Sequence, residues 1–263
     1  MPTHKNISAF VITYNEEGNI ADCLDTLNWV DESVVVDSGS TDRTVEIARE
    51  KGARVVTHKF HGYSDQIRYA ASQTTHPWVV WLDADERLTP EAHGEIERFL
   101  QSPKAETYSG IEFPRRTWFL GRWVTHSGWY PKRKLRFFHR DRGQITGEDP
   151  SSRFEPDGEV VQADGDILHY SYPGGMADMV ERSNRFTTRA AEDRFQQGRK
   201  VSWMKLLLEP PFEFCKKYLL QLGFLDGMAG LVISVGTAYY KFVREVKLWE
   251  LHNLSSRSAS DHN

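Results

Sequence analysis

The stretch ISAFVITYNEE at residues 7–17 passes from a short apolar run directly into polar turn residues. The apolar run, residues 7–13, is rich in β-branched side chains, which predicts a buried strand. After the polar residues, apolar side chains recur from Ile20 to Leu27 at the spacing of one helix face. The stretch therefore predicts a strand, a loop and a helix in succession.

The same order recurs along the first hundred residues. Further strands are predicted at 33–37, 54–57 and 78–82, and helices from near Thr44, over 67–72 and over 90–100. Strands that alternate with helices favour right-handed crossovers and a mainly parallel sheet flanked by helices. The predicted fold class is therefore α/β.

Three polar clusters follow predicted strands, at residues 13–17, 37–42 and 83–86. Ligands of parallel sheets bind beyond the carboxyl ends of the strands, so the clusters are expected at one edge. Asp37 is suited to accept hydrogen bonds from ribose or a base, and Asp83 and Asp85 carry the oxygen ligands that Mg²⁺ or Mn²⁺ prefers. A cation there neutralises a diphosphate leaving group. The alternatives are a chance Asp-x-Asp and ordinary turn residues.

Composition excludes several classes of protein. The chain has 263 residues, 39% hydrophobic residues, a net charge of −4 and two cysteines. These values disfavour disorder, a disulfide scaffold and overall affinity for nucleic acid. The first strand is not followed by GxGxxG and the sequence has no P-loop, which weakens dinucleotide and P-loop folds. We expect a cytoplasmic protein, because the first residues do not resemble a secretory signal and the apolar run at 228–240 is short for a membrane span.

Three motifs resemble the signature of family 2 glycosyltransferases with the GT-A fold, which is Rossmann-like: VITYNEE at 11–17, VVDSGSTDRT at 35–44 and WLDADE at 81–86. KLRFF at 134–138, LHYSY at 168–172 and GFLDG at 223–227 are similar to the lipopolysaccharide inner-core β-glucosyltransferase subgroup. The resemblance implies an inverting transfer of a hexose, glucose in that subgroup, from a UDP-sugar to a lipopolysaccharide-core or other glycolipid acceptor.

The resemblance also implies roles for individual residues. Those expected to bind the nucleotide-sugar are Thr13, Asn15, Glu16, Asp37, Gln66, Arg68, Asp83 and Arg136. Asp85 is expected to bind the divalent cation, Mg²⁺ or Mn²⁺, and His169 to approach the metal or the phosphates. For Arg68 the alternative is a surface arginine, and for His169 a core histidine with satisfied hydrogen bonds.

The general base is expected on the loop GEDPSSR at 147–153. Many relatives carry His and an acid where this chain has Ser151 and Ser152, and serine cannot act as a carboxylate base. Asp149 is the preferred base and Glu148 the second candidate, against the alternative of solvated loop acids.

Basic and aromatic residues alternate between Arg115 and Arg142. Arginine suits phosphate and aromatic rings suit sugar faces, which favours a phosphorylated glycolipid. Such interleaving also occurs in single-stranded nucleic-acid sites, but no nucleic-acid partner is predicted. The helices after Met176 combine aromatic, basic and apolar residues, which suits a peripheral position on the cytoplasmic face of the inner membrane. Packing against the rest of the chain, or a homo-oligomer, is the alternative.

The predicted organisation is a GT-A domain at 1–175, with a nucleotide-sugar half at about 1–100 and an acceptor half at about 101–175. A helical extension at 176–251 and a polar tail at 252–263 follow. Two other functions stay open. One is a sugar nucleotidyltransferase, although its usual Gly-rich opening loop is absent. The other is a degenerate nucleotide-sugar-binding or membrane-surface protein without turnover.

Overall fold

A computed structural model describes residues 6–147 and 152–260, with side chains to residue 254. The described chain forms two compact units. One runs to Arg116 and includes Lys132–Tyr170; the other comprises Thr117–Pro131 and the chain from Ser171 onward. This division assigns Thr117–Pro131 to the C-terminal helices, and the sequence-based boundary at residue 175 stays a prediction.

The first unit begins with four strands and the helices between them. The elements are β1 (Ile7–Thr13), α1 (Ile20–Asp25), β2 (Glu32–Asp37), α2 (Thr44–Glu50), β3 (Arg54–Thr57), α3 (Tyr63–Ser72) and β4 (Trp78–Asp83). These four strands are parallel and adjacent, in the order β3-β2-β1-β4. The strand predictions are confirmed to within one residue, whereas α3 starts four residues earlier than predicted.

The remaining strands extend this sheet mainly with antiparallel pairs. They are preceded by a short strand and two helices: β5 (Glu86–Leu88), α4 (Pro90–Gln101) and α5 (Lys104–Thr107). The later strands are β6 (Gly110–Phe119), β7 (Arg122–Val124), β8 (Lys132–His139), β9 (Gly143–Thr146), β10 (Arg153–Pro156), β11 (Val160–Gln162) and β12 (Ile167–His169). The sheet continues β4-β8-β6-β12-β5, and β9 pairs with β10 separately. β8 is antiparallel to β4, which places the basic residues of β8 next to the four parallel strands.

The central strands are buried on both faces, as the continuous apolar runs of parallel strands require. Alternate residues of β1 point to opposite sides, with Val11 in one apolar cluster and Phe10 in the other. α1 and α4 cover the first face, and α3 covers the second. The sheet is therefore a fixed platform for the loops at its edge.

The second unit contains α6 (Met176–Gln196), α7 (Trp203–Cys215) and α8 (Gly227–Ser260). A π-helical turn (Lys216–Leu220) and a 3₁₀ turn (Gly223–Asp226) connect α7 to α8. In the described part of the chain, no helix taken singly has the length and apolar composition of a membrane span. Trp203–Leu220 and Gly223–Leu254, bent by 72° at their break, meet both criteria as a pair.

Asp226 anchors this turn to residues 125–127. Its buried carboxylate accepts hydrogen bonds from the backbone N–H groups of Thr125 and His126, at 3.1 and 2.9 Å, and from the Ser127 hydroxyl at 3.2 Å. A buried carboxylate is stable only with such donors. Asp226 therefore ties the start of α8 to residues that precede it by a hundred positions.

Candidate active site

The three acidic clusters meet at one edge of the sheet. In the strand register, Thr13 of β1 lies opposite Asp37 of β2, and Ile12 lies opposite Asp83 of β4. Because β1 is between β2 and β4, the carboxyl ends of all three strands lie side by side. This is the convergence that the alternation of strands and helices predicts.

The loops after β1 and β2 are bonded to each other. Asn15 has a left-handed backbone, with φ of 54°, and its Oδ1 accepts a hydrogen bond from Thr41 N at 2.8 Å. The Asn15 and Glu16 N–H groups donate to the hydroxyls of Ser40 and Thr44, both at 2.8 Å. These cross-bonds satisfy polar backbone groups that would otherwise be unpaired at a strand end.

Asp37 is buried, and its own loop surrounds its carboxylate. Oδ2 accepts hydrogen bonds from Gly39 N at 2.8 Å and Ser40 N at 2.9 Å, and Oδ1 accepts one from the Ser40 hydroxyl. Each carboxylate oxygen has two acceptor sites, so a further contact to a nucleoside is compatible with this turn. Asp37 thus shapes the loop, and its contact with a ligand stays a prediction.

Arg136 of β8 joins Asp83, the last residue of β4, to Glu86, the first residue of β5. Its Nη2 lies 2.7 Å from Asp83 Oδ2 and 2.8 Å from Glu86 Oε1, and its guanidinium lies 4.1 Å from the ring centre of Trp81. Arg115 of β6 adds a second cation, 3.3 Å from Glu86. Burial alone would raise the pKa of Glu86, but Arg136, Arg115 and His169 together hold it below its usual value.

Lys134 precedes Arg136 by two residues on β8, and the register of β8 with β6 shifts between them, because Glu112 pairs with Leu135 whereas Ile111 pairs with Phe137. Burial, and then the positive charges of Arg136 and Arg115, lower the pKa of Lys134 to about 8. An anion bound beside Lys134 would stabilise the charged lysine. This part of β8 is therefore electrostatically suited to phosphate.

Asp85 and His169 form a second close pair of side chains at this edge. Asp85 Oδ2 lies 3.4 Å from His169 Nε2, and the Tyr170 N–H donates to Asp85 O at 2.8 Å. No group of three or more acidic, histidine or cysteine side chains in the described residues is arranged to hold a metal ion. A pair is still compatible with Mg²⁺ or Mn²⁺, since these ions fill much of their coordination shell with water and substrate phosphates.

Buried polar atoms without partners also occur at this edge. Among the described residues, they include Thr13 Oγ1, Gln66 Oε1 and Arg136 Nε. Gln66 is held by its other end, since its Nε2 donates to Ser38 Oγ at 2.9 Å. Buried polar groups usually have partners, so such atoms fit a site whose ligand supplies them.

The remaining predicted residues are placed differently. Arg68 is exposed on α3, facing away from the side that buries Gln66. Glu148 and Asp149 lie outside the described residues. The residues that flank them are tied to α3: the Ser64 hydroxyl donates to Gly147 O at 2.7 Å and lies 2.6 Å from Ser152 Oγ.

Sequence reasoning missed Glu86 and two arginines as parts of this site. Arg87 is buried, donates to Ala84 O at 3.0 Å and to Asn19 Oδ1 at 3.1 Å, and so ties the Asp-x-Asp turn to the loop after β1. Glu86 and Arg87 directly follow the Asp-x-Asp motif, and this position was the sequence feature that could have indicated their place in the site. For Arg115, the sequence provided no indication of a place in the site beyond the basic residues around it.

A mixed α/β sheet with acidic residues and an arginine at the carboxyl edge of its parallel strands is the arrangement expected of GT-A glycosyltransferases. The sequence profile of Glycosyl transferase family 2 matches residues 8–154. The chain belongs to glycosyl transferase family 2, and the expected family and fold are confirmed.

Several relatives resemble the whole chain. An uncharacterized glycosyltransferase of Rickettsia typhi is 32% identical, over 98% of this chain and 92% of that protein. The lipopolysaccharide core biosynthesis glycosyltransferase LpsC of Rhizobium meliloti is 28% identical, over 97% of this chain and 96% of LpsC.

Among solved structures, the mannosyltransferase PcManGT from Pyrobaculum calidifontis, in complex with GDP-Man and Mn²⁺, has a TM-score of 0.53. It is 18% identical, over 94% of this chain and 88% of PcManGT. This likeness supports the shared fold.

Proposed function

We propose that this family 2 glycosyltransferase transfers a hexose, glucose in the first instance, from a UDP-sugar to a lipopolysaccharide-core or other glycolipid acceptor. The observation that carries the proposal is the shared edge of Thr13, Asp37 and Asp83, with Arg136 beside them. The similarity to LpsC supports the acceptor class. Such an acceptor places the enzyme at the cytoplasmic face of the inner membrane.

In this proposal the β1 and β2 loops hold the nucleoside. Thr13, Asn15, Glu16, Asp37 and Gln66 line its pocket, and the unpartnered Thr13 Oγ1 and Gln66 Oε1 supply two contacts. Asp83 and Arg136 fix the diphosphate end, while Arg68 closes over the nucleotide from α3. Asp85 and His169 would hold a Mg²⁺ or Mn²⁺ ion, which would supply positive charge to the leaving diphosphate.

The transfer is a single displacement with inversion. The acceptor oxygen forms a bond to the anomeric carbon as the bond from that carbon to the diphosphate oxygen breaks, and UDP leaves with the electron pair. Asp149, or Glu148 in its place, takes the acceptor proton. Ser64 of α3 bonds both residues that flank the segment, Gly147 and Ser152.

The direct test is UDP release from a panel of UDP- and GDP-sugars with a lipopolysaccharide-core acceptor, with Mn²⁺, Mg²⁺ or EDTA. Asp149→Asn is expected to lower the transfer rate by at least about a hundredfold, within the range for a catalytic base, and to leave donor binding intact. Glu148→Gln is the matched control. If only Glu148→Gln lowers the rate, Glu148 is the base.

The same panel separates the alternative functions. Donor binding without acceptor-dependent UDP release would favour a binding protein without turnover. Formation of a nucleotide-sugar from a sugar phosphate and a nucleoside triphosphate would favour a nucleotidyltransferase. Either result would overturn the proposed transfer.

A further inference from the structure

Helix α7 exposes its apolar side chains on one face. Trp203, Met204 and Leu207 are 65%, 72% and 65% exposed, and no residue of this helix is buried. Exposed residues recur one and four positions apart, which places them within about half of the helix circumference. They form what we call the α7 face: Trp203, Met204, Leu207, Leu208, Pro211, Phe212 and Cys215.

The acids of α7 point the other way. Glu209 lies 2.8 Å from Lys241 Nζ and 3.0 Å from Arg244 Nη2, both on α8. Glu213 lies 3.5 Å from Lys216. A helix at the surface of a soluble protein usually points its charged residues to the solvent and its apolar residues to the core. Helix α7 has the opposite arrangement.

Basic residues surround the α7 face. Residues 199–220 contain five basic side chains and two acids, and both acids are engaged in the ion pairs with Lys241, Arg244 and Lys216. The basic residues are Arg199, Lys200, Lys205, Lys216 and Lys217. The apolar surface continues into the following turns at Leu219, Leu220, Phe224 and Leu225, which are exposed. An exposed apolar area of this extent marks an interaction surface.

We propose that the α7 face docks on a lipid bilayer that contains anionic phospholipid, with its aromatic and aliphatic side chains inserted at the level of the headgroups. Amphipathic elements that lie in the interface combine large apolar residues with Lys and Arg at their margin. The positive margin complements anionic headgroups, and the inward acids avoid repulsion from them. A second copy of this chain would present the same positive margin, which would oppose docking of one α7 face against another.

This docking goes beyond the proposed transfer reaction and is measured without donor or acceptor. Failure of vesicle binding therefore leaves the transfer reaction testable, and failure of transfer leaves the docking testable.

The native cysteines provide a local probe. Cys215 is exposed on the α7 face, whereas Cys23 is buried. An environment-sensitive fluorophore on Cys215 of the full chain is expected to shift to the blue when vesicles of phosphatidylethanolamine and phosphatidylglycerol are added. The control carries Cys215→Ser and Gln101→Cys, which moves the fluorophore to an exposed residue of α4, and should not shift.

Flotation with the same vesicles measures the contribution of side chains. Leu208→Ser with Phe212→Ser should weaken partitioning by at least about tenfold, because two large apolar groups no longer leave water. The matched control removes two exposed apolar residues of α6, Met176→Ser with Val180→Ser, and should partition like the wild type. Lys200→Gln and Lys205→Gln should each weaken binding about fivefold to anionic vesicles.

Circular dichroism melting shows whether each variant is folded. We expect every variant to fold, because the substituted side chains are exposed. The proposal is wrong if the wild-type chain does not float with the vesicles. It is also wrong if the fluorescence of the Cys215 label shifts to the blue by the same amount without vesicles, as the chain dimerises. The second result, checked by light scattering, would assign the α7 face to a second copy of the chain.

Discussion

Arg136 Nη2 lies 2.7 Å from Asp83 Oδ2, across 53 residues of sequence. The same nitrogen also contacts Glu86, and the guanidinium covers Trp81. The planar group is therefore fixed on three sides at the carboxyl end of β4. Lysine has no planar fork and is not equivalent at such a position.

We predict that Arg136→Lys lowers kcat/KM for the UDP-sugar by about a hundredfold, the usual cost of a lost charge-stabilising donor. Steady-state UDP release checks this, and calorimetry with UDP separates binding from chemistry. Arg98→Lys, at an exposed arginine of α4, is the control and should stay within twofold of wild type. Equal efficiency of Arg136→Lys and wild type would contradict the role of Arg136.

Glu86→Gln should destabilise the fold by about 3–5 kcal/mol, because it leaves the buried Arg136 and the half-buried Arg115 with less compensation. Urea denaturation measures the change. The control is Glu46→Gln, which removes an exposed ion pair with Arg43 and should leave the urea midpoint of unfolding unchanged. A loss for Glu86→Gln as small as that for Glu46→Gln would show that the buried pair does not stabilise the fold.

The Glu86 contribution should also depend on pH. Its pKa is lower in the folded chain than in the unfolded one, where the ordinary value is 4.5. The stabilisation is therefore complete above pH 4.5 and is lost as pH falls through the folded-state pKa. The difference in unfolding free energy between wild type and Glu86→Gln should shrink in acid, and a difference that is constant from pH 7 down to pH 3 would contradict this assignment.

Asp85→Asn should reduce the gain in UDP affinity that Mn²⁺ provides by at least about tenfold, because the amide lacks the ligand charge. His169→Asn is expected to have a smaller effect, since water replaces a neutral ligand readily. Calorimetry with and without EDTA measures both. Asp25→Asn, at an exposed acid paired with Lys51, should behave as wild type. An unchanged Mn²⁺ effect in Asp85→Asn would exclude Asp85 as the ligand.

Asn15 allows backbone and side-chain effects to be separated. Asn15→Gly keeps the left-handed conformation and loses the bond to Thr41, whereas Asn15→Ala also strains the backbone. Alanine should therefore be less stable than glycine by about 1 kcal/mol, as measured by thermal melting. If the two variants have the same melting temperature, the positive φ does not reduce stability at this position.

The nucleotide half was largely predictable from sequence. Apolar runs such as 78–82 have one plausible structure between turn residues, and parallel strands bring their carboxyl ends together by topology alone. The partners of Glu86 were not predictable. Arg115 and Arg136 are 29 and 50 residues away, and only the antiparallel pairing of β8 with β4 and β6 brings them near.

Asp37 illustrates a second limit. An acid at the end of an apolar strand indicates that its carboxylate needs hydrogen-bond donors, but it does not indicate which groups donate. Here Gly39 and Ser40 of its own loop supply them, whereas the sequence indicated ribose or a base as a possible source, and that contact stays a prediction. Likewise, the segment 117–131 groups with the C-terminal helices because of contacts with residues a hundred positions away, such as Asp226.

The register that pairs Thr13 with Asp37 and Ile12 with Asp83 restricts how this enzyme can change. A single-residue insertion in β1 would exchange the two faces of the strand and misalign the edge with both neighbours at once. New donor preferences are therefore accessible through the loops after the strands, where side chains change without altering the ladder. Redesign of sugar selectivity should begin there and leave the strands intact.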